Sequence, residues 1–233
     1  MKSIKLSLAT ILATASLAIT ANASEVGVSA NVSMTSDYMW RGMTQSAGSP
    51  AIQGGFDLDY EGFYIGTWGS NVAGDPDETQ GGEYYYGKAS MELDLYGGYS
   101  TEISGVGIDV GFLQFMYPKD SEAKGWGEAY LGLSYDLEML SVGAKYSYAI
   151  DTMDNGWTDY NLLELSASVP LPQDMAIDVT YGLYENVGDF YYAGFTKSYK
   201  SYEFTVAYTG ISYDSSYADG SESKATLTVG TSF

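Results

Sequence analysis

Two pairs of carboxylates, Asp57 with Asp59 and Glu92 with Asp94, stand two residues apart. On an extended backbone that spacing puts both members of a pair on one face. Paired acids can act as general acid and base, or as the two carboxylates of a glycoside hydrolase. The rest of the catalytic inventory is short. The 233-residue chain has no His and no Cys, which removes the commonest general base, the Ser-His pair, thiol nucleophiles and most zinc ligand sets. Its 28 glycines build no phosphate-cradling loop between strand and helix. An acidic run, "DPDE" at 75–78, has oxygen ligands suited to Ca²⁺ or Mg²⁺, but such a run reads first as a solvated loop. The expectation is a chain with no catalytic residues, no metal site and no cofactor, whose same-face acids line a wetted wall.

Charge narrows the partners. Residues 1–23 begin with Lys2 and Lys5, continue through "LSLATILATASLAIT" and end on "ANA", the pattern of a secretory signal peptide with its small-residue cleavage site. Of 10 basic residues, 8 remain once Lys2 and Lys5 are removed, against 30 acidic ones, a formal charge of −22 on residues 24–233. Nucleic acid is excluded as a partner on that balance. Without Cys, neither a lipid anchor nor a disulfide is available. With 23 Tyr, 8 Phe and 4 Trp, the chain is too aromatic for disorder, and no later apolar run is long enough for a membrane-spanning helix.

The elements that carry the acids show a period of two. In "VGVSANVSM" the apolar set is Val26, Val28, Ala30, Val32 and Met34; Ile52, Phe56, Leu58 and Tyr60 alternate with Gln53, Asp57 and Asp59; Met91, Leu93, Leu95 and Tyr99 alternate with Glu92 and Asp94. Each is a strand with one apolar and one polar face. Similar segments fall at 106–112, 129–135, 140–148, 163–171, 175–183, 202–208 and 225–233, and two without clean alternation at 63–71 and 189–197. The sum is twelve strands in one domain, residues 24–233, with ten or fourteen as alternatives. Short connections near Glu61 and at 100–104, 136–139, 170–174 and 198–201 alternate with long polar ones at 71–88, 117–126, 151–159 and 212–223. Sorted loops of this kind belong to a transmembrane antiparallel up-and-down β-barrel of the bacterial outer membrane, with turns inside the periplasm and loops outside. On that orientation Tyr60, Tyr99, Tyr135, Tyr202 and Phe233 form one aromatic girdle and Tyr146, Tyr148 and Tyr208 the other. The expected surroundings are outer-membrane lipid and lipopolysaccharide, and a last strand ending on Phe233 resembles the signal read by the barrel-assembly machinery.

In lipid the polar set of every strand must face inward. The lumen then holds Asp57, Asp59, Glu92, Asp94, Asp109, Glu128, Glu164, Asp178 and Glu203, with Lys145 as the inward cation on a strand. Such a wall concentrates cations and repels anions, which fits passive diffusion of small hydrophilic solutes with a cation preference. The alternative is a packed, non-conducting structural or adhesive barrel whose acidic loops bind divalent ions.

The run "SDYMWRGMTQS...SPAIQGGFDLDYEGFYIGTWGSNV", residues 36–72, resembles the TorF-like family of porins, and the general strand and loop pattern extends that resemblance over residues 24–233. The resemblance implies a secreted outer-membrane barrel acting as a porin, and names no solute. Within this frame Arg41, the only arginine of the chain, has two readings. Either the first loop folds inward and Arg41 faces lumen carboxylates across a constriction lined by Tyr38 or Trp40, or Arg41 ties loop to wall by bidentate pairing to Asp37 or Asp57, with Gly42 permitting the turn.

Overall fold

The computed structural model describes residues 26–73, 89–118, 125–153 and 160–233. The expected leader at 1–23, the run at 75–78 and much of the long connections at 71–88, 117–126 and 151–159 lie outside the described residues. Fourteen strands follow in order: β1 (Gly27–Thr35), β2 (Met39–Trp40), β3 (Met43–Thr44), β4 (Ala51–Tyr60), β5 (Phe63–Asn71), β6 (Met91–Ile103), β7 (Val106–Met116), β8 (Gly127–Asp136), β9 (Ser141–Ile150), β10 (Asn161–Leu171), β11 (Met175–Tyr184), β12 (Gly188–Tyr199), β13 (Tyr202–Tyr213) and β14 (Ser221–Ser232). Twelve of them, β1 and β4–β14, form a closed antiparallel barrel, and β2 and β3 pair only with each other. Closure is made where β1 pairs β14 over Asn31–Thr35 and Thr228–Ser232. A closed sheet satisfies every strand edge internally.

The period-two pattern maps onto the wall as expected. Ile52, Phe56, Ile65, Leu95, Val110, Leu131 and Val206 face outward and are exposed, while Asp57, Glu92, Asp94, Glu128 and Glu164 face inward and are buried. Outward tyrosines stand in two bands: Tyr60, Tyr99, Tyr135 and Tyr202 near the short turns, Tyr146, Tyr148 and Tyr208 towards the other end. The two segments without clean alternation are also strands. In β5 the outward set turns polar at Thr67 and Asn71, while Trp68 points in; in β12 aromatics occupy both faces, with Phe190 buried inside and Phe195 exposed outside. Mixed faces, not a different fold, blurred the pattern.

Several turns share one chemistry. Glu61–Gly62 and Ser104–Gly105 both carry positive φ at both positions (49° and 91°; 53° and 83°) between directly paired residues, Tyr60 with Phe63 and Ile103 with Val106. These are two-residue type I′ hairpins, whose twist matches that of the strands. The short turn expected at 100–104 is therefore shifted, because β6 continues to Ile103. The loop sorting has one departure: β11 and β12 are joined at the long-loop end by only Glu185, Asn186 and Val187.

Inside the wall, large rings lie across glycines of adjacent strands. A Cβ added to Gly66, Gly98, Gly111 or Gly182 would collide with the ring of Tyr96, Tyr64, Tyr130 or Phe190, respectively. This is where the strand glycines find their use, since a ring laid over a glycine packs the lumen without pushing strands apart.

Candidate functional site in the lumen

The segment after β1 does not extend away from the barrel. It turns inward as the β2–β3 hairpin, and Tyr38, Trp40, Arg41, Met43, Gln45 and Ser46 are all buried. The hairpin pairs Trp40 with Met43, leaving Arg41 (φ 49°) and Gly42 (φ 82°) as the tip, a third type I′ turn. Gly42 is required twice over. Its φ is left-handed, and a Cβ there would stand 2.3 Å from the backbone carbonyl carbon of Gly210 on β13.

At the tip Arg41 makes the bidentate pairing anticipated from its sequence, but with a different partner. Its Nη1 and Nη2 donate to Oε1 and Oε2 of Glu128 on β8 at 2.8 and 2.7 Å, and Nη1 also donates to the Tyr160 hydroxyl at 3.2 Å. Asp37 and Asp57 are engaged elsewhere. Asp37 accepts from Thr44 Oγ1 at 2.7 Å and Ser46 Oγ at 2.9 Å within the loop, and Asp57 accepts from the Tyr96 hydroxyl at 2.5 Å. The reason is reach: Asp37 stands at the base of the hairpin and Asp57 deep towards the short turns, whereas Glu128 opens β8 at the level of the tip. Two-point pairing in a water-poor interior is the strong form of this interaction. The guanidinium also lies 4.2 Å from the Trp40 ring centre and 5.2 Å from that of Tyr184. Trp40 in turn packs edge-on against Phe115, Trp126 and Tyr184.

The other carboxylates form two tiers. At the hairpin's level, Glu92 accepts from the hydroxyls of Tyr38 at 2.8 Å and Tyr117 at 3.1 Å. Asp94, two residues on, is 0% exposed and neither oxygen has a hydrogen-bond partner. Lower down, the Tyr64 hydroxyl donates to Asp109 at 2.7 Å and also meets the Tyr130 hydroxyl, while Lys145 and Glu164 form an ion pair of 2.6 Å. Asp109, Gly132, Lys145 and Glu164 share one cross-strand row. Asp59, Asp178 and Glu203 also face inward but join no cluster: Asp59 lies against Gly27, Asp178 keeps one oxygen unpaired, and Glu203 has only a 3.4 Å bond from Ser198. Among the described residues no set of three His, Cys, Asp or Glu is arranged to hold a metal ion.

Sequence reasoning missed a second inward cation on a strand, Lys224, which approaches Asp37 at 3.7 Å. It also missed Glu222, whose Oε1 accepts from the Thr44 backbone N–H at 3.1 Å. Phe115, Tyr117, Trp126, Tyr160 and Tyr184 were missed as lumen residues; Tyr117 and Trp126 sit in a segment that reads as a polar loop. The available signal was parity, since Trp126, Tyr160 and Tyr184 continue the inward sets of β8, β10 and β11.

Comparison with solved structures supports the fold. KdgM porin aligns with a TM-score of 0.60 at 12% identity, covering 88% of this chain and 99% of its own, and the same porin in complex with disordered oligogalacturonate aligns at 0.58, with 10% identity and coverage of 88% and 98%. The Salmonella typhi outer membrane phospholipase dimer with bound calcium aligns at 0.52, with 13% identity and coverage of 88% and 90%. No curated protein matches the sequence. One family model does, the one described as "Bacterial protein of unknown function (Gcw_chp)", over residues 19–232, and the chain belongs to that family.

Proposed function

We propose that this chain is an outer-membrane porin that passes small hydrophilic solutes by passive diffusion, prefers cations, and is closed in the present conformation by its own β2–β3 hairpin. The observation that carries the reading is how the inward acids are satisfied. Tyrosine hydroxyls, not cations, serve Asp57, Glu92 and Asp109. Inward acids outnumber inward cations among the described residues, and such a wall favours cations and opposes anions. The end near the short turns is also wet, since inward Glu102, Ser134, Asp136 and Ser166 are exposed. The resemblance to TorF-like porins and the fold shared with KdgM point the same way. The anionic oligogalacturonate named with that porin is a poor match for an acidic lumen, so the solute class differs.

Some solved barrels of this fold are phospholipases, but the lack of His and Cys and the engagement of one acid of each pair, Asp57 and Glu92, by tyrosine hydroxyls support a non-enzymatic barrel. A second reading, a non-conducting structural barrel in contact with lipid and lipopolysaccharide, draws support from the packed hairpin. Planar-bilayer recording of the purified protein beside a variant whose residues 39–44 are replaced by a short Gly-Ser link decides between them. The porin reading expects larger, cation-selective steps in the variant. Silence from both favours the structural barrel.

A further inference from the structure

We infer that the barrel wall around Glu128 is a binding site for a guanidinium-bearing organic cation, which Arg41 occupies as a tethered stand-in. The wall half of the site is assembled without the hairpin. Tyr160 donates to Glu128 Oε1 at 2.5 Å, and the Trp126 indole N–H donates to the Tyr160 hydroxyl at 2.9 Å and to Glu128 Oε1 at 3.3 Å. Phe115 stacks on Trp126 at 4.4 Å, and Tyr184 meets Tyr160 edge-on at 4.8 Å. Backbone bonds fix the same residues to their strands, Phe115 N–H to the Trp126 carbonyl at 2.9 Å and Ala149 N–H to the Tyr160 carbonyl at 3.0 Å. Withdrawing the hairpin would remove Arg41 and Trp40 and leave a carboxylate among aromatic rings drawn from β7, β11 and the residues that lead into β8 and β10.

That composition selects a chemical class. A planar, weakly hydrated guanidinium can meet Glu128 through two parallel N–H donors while its face lies on an aromatic ring. A primary ammonium gains the charge but not the fork, and an anion gains nothing. Preference for a cation over a neutral solute rests on Glu128 itself, whose partners on the wall are neutral hydroxyl and indole donors. Arg41 reaches the site on a short tether, which gives it an effective concentration in the millimolar range. A free guanidinium solute at comparable concentration would displace it and loosen the hairpin. The class of solute rests on the porin reading only for transport; the site itself does not depend on conduction.

The test uses the full mature chain in detergent, with Arg41→Ala emptying the site. Methylguanidinium chloride is titrated against methylammonium chloride at matched ionic strength, following thermal unfolding and tryptophan fluorescence. The inference expects methylguanidinium to raise the melting temperature of Arg41→Ala and to bind about tenfold more tightly than methylammonium, the advantage of a two-point fork over a point charge. It expects Arg41→Ala with Glu128→Gln to lose that preference. If Arg41→Ala fails to assemble, refolding yield in the two salts replaces the melting curve, and rescue by methylguanidinium alone supports the site. Equal effects of the two cations, or a preference that survives Glu128→Gln, overturns it. Selective binding without bilayer conductance would uphold the site and sink the porin reading; conductance without selective binding would do the reverse.

Discussion

Arg41 is the residue on which stability and closure meet. Its charge is permanent at accessible pH, and it faces Glu128 in an interior where both side chains are almost fully shielded. Removing one partner of such a pair strands the other, so Arg41→Ala is expected to cost about 3–5 kcal/mol, read as a lower melting temperature in detergent. Arg41→Lys keeps the charge and loses the fork, and its loss is expected to be smaller. Gly42→Ala should destabilise by at least about 1–2 kcal/mol from its left-handed backbone alone, with the contact to Gly210 adding to it. A Gly42→Ala protein as stable as the parent would show that the tip is not seated against β13. The sequence made Arg41 conspicuous, as the one arginine among acids, and the alternation placed Glu128 on the inner face. It did not pair them, because parity gives a side chain's face but not its height in the lumen, and these partners are 87 residues apart.

At the scale of elements, the hairpin is short but strongly specified. Its tip uses the positive-φ pair found in the Glu61–Gly62 and Ser104–Gly105 turns, but strands of two residues each are too short to hold a hairpin without contacts beyond it. What the wall supplies is the socket. Trp40 fills it among Phe115, Trp126 and Tyr184, and Trp40→Ala should cost about 3–5 kcal/mol, as large aromatic truncations in packed sites do. The same variant should raise conductance if the plug then samples an open position. Unchanged melting and unchanged conductance together would show the indole to be a passenger. The barrel strands were legible because their faces differ in polarity. The inward course of β2–β3 was legible only as one of two readings of Arg41, a constriction or a tie from loop to wall, since the loop's own residues do not show which wall groups it meets.

For the molecule as a whole, the balance of fixed charge predicts ion selectivity. With the hairpin shortened, a salt gradient across a bilayer should give a reversal potential of the sign for cation passage, weakening at high salt as the wall is screened. Lys145→Met should strengthen that preference, since it removes a positive charge from the row containing Asp109 and Glu164; anion passage in either protein would contradict the acidic-lumen reading. The attachment of the hairpin carries a further consequence. Its base is stitched to the final strand: Ser36 N–H donates to the Leu227 carbonyl at 2.9 Å and Leu227 N–H to Ser36 Oγ at 3.0 Å. Thr228 Oγ1 donates to Thr35 Oγ1 at 3.0 Å, and Thr44 reaches Glu222. These contacts span the junction between β1 and β14, so they exist only after the two ends of the chain have met. The base of the hairpin is thus fixed only once the barrel has closed, late in biogenesis.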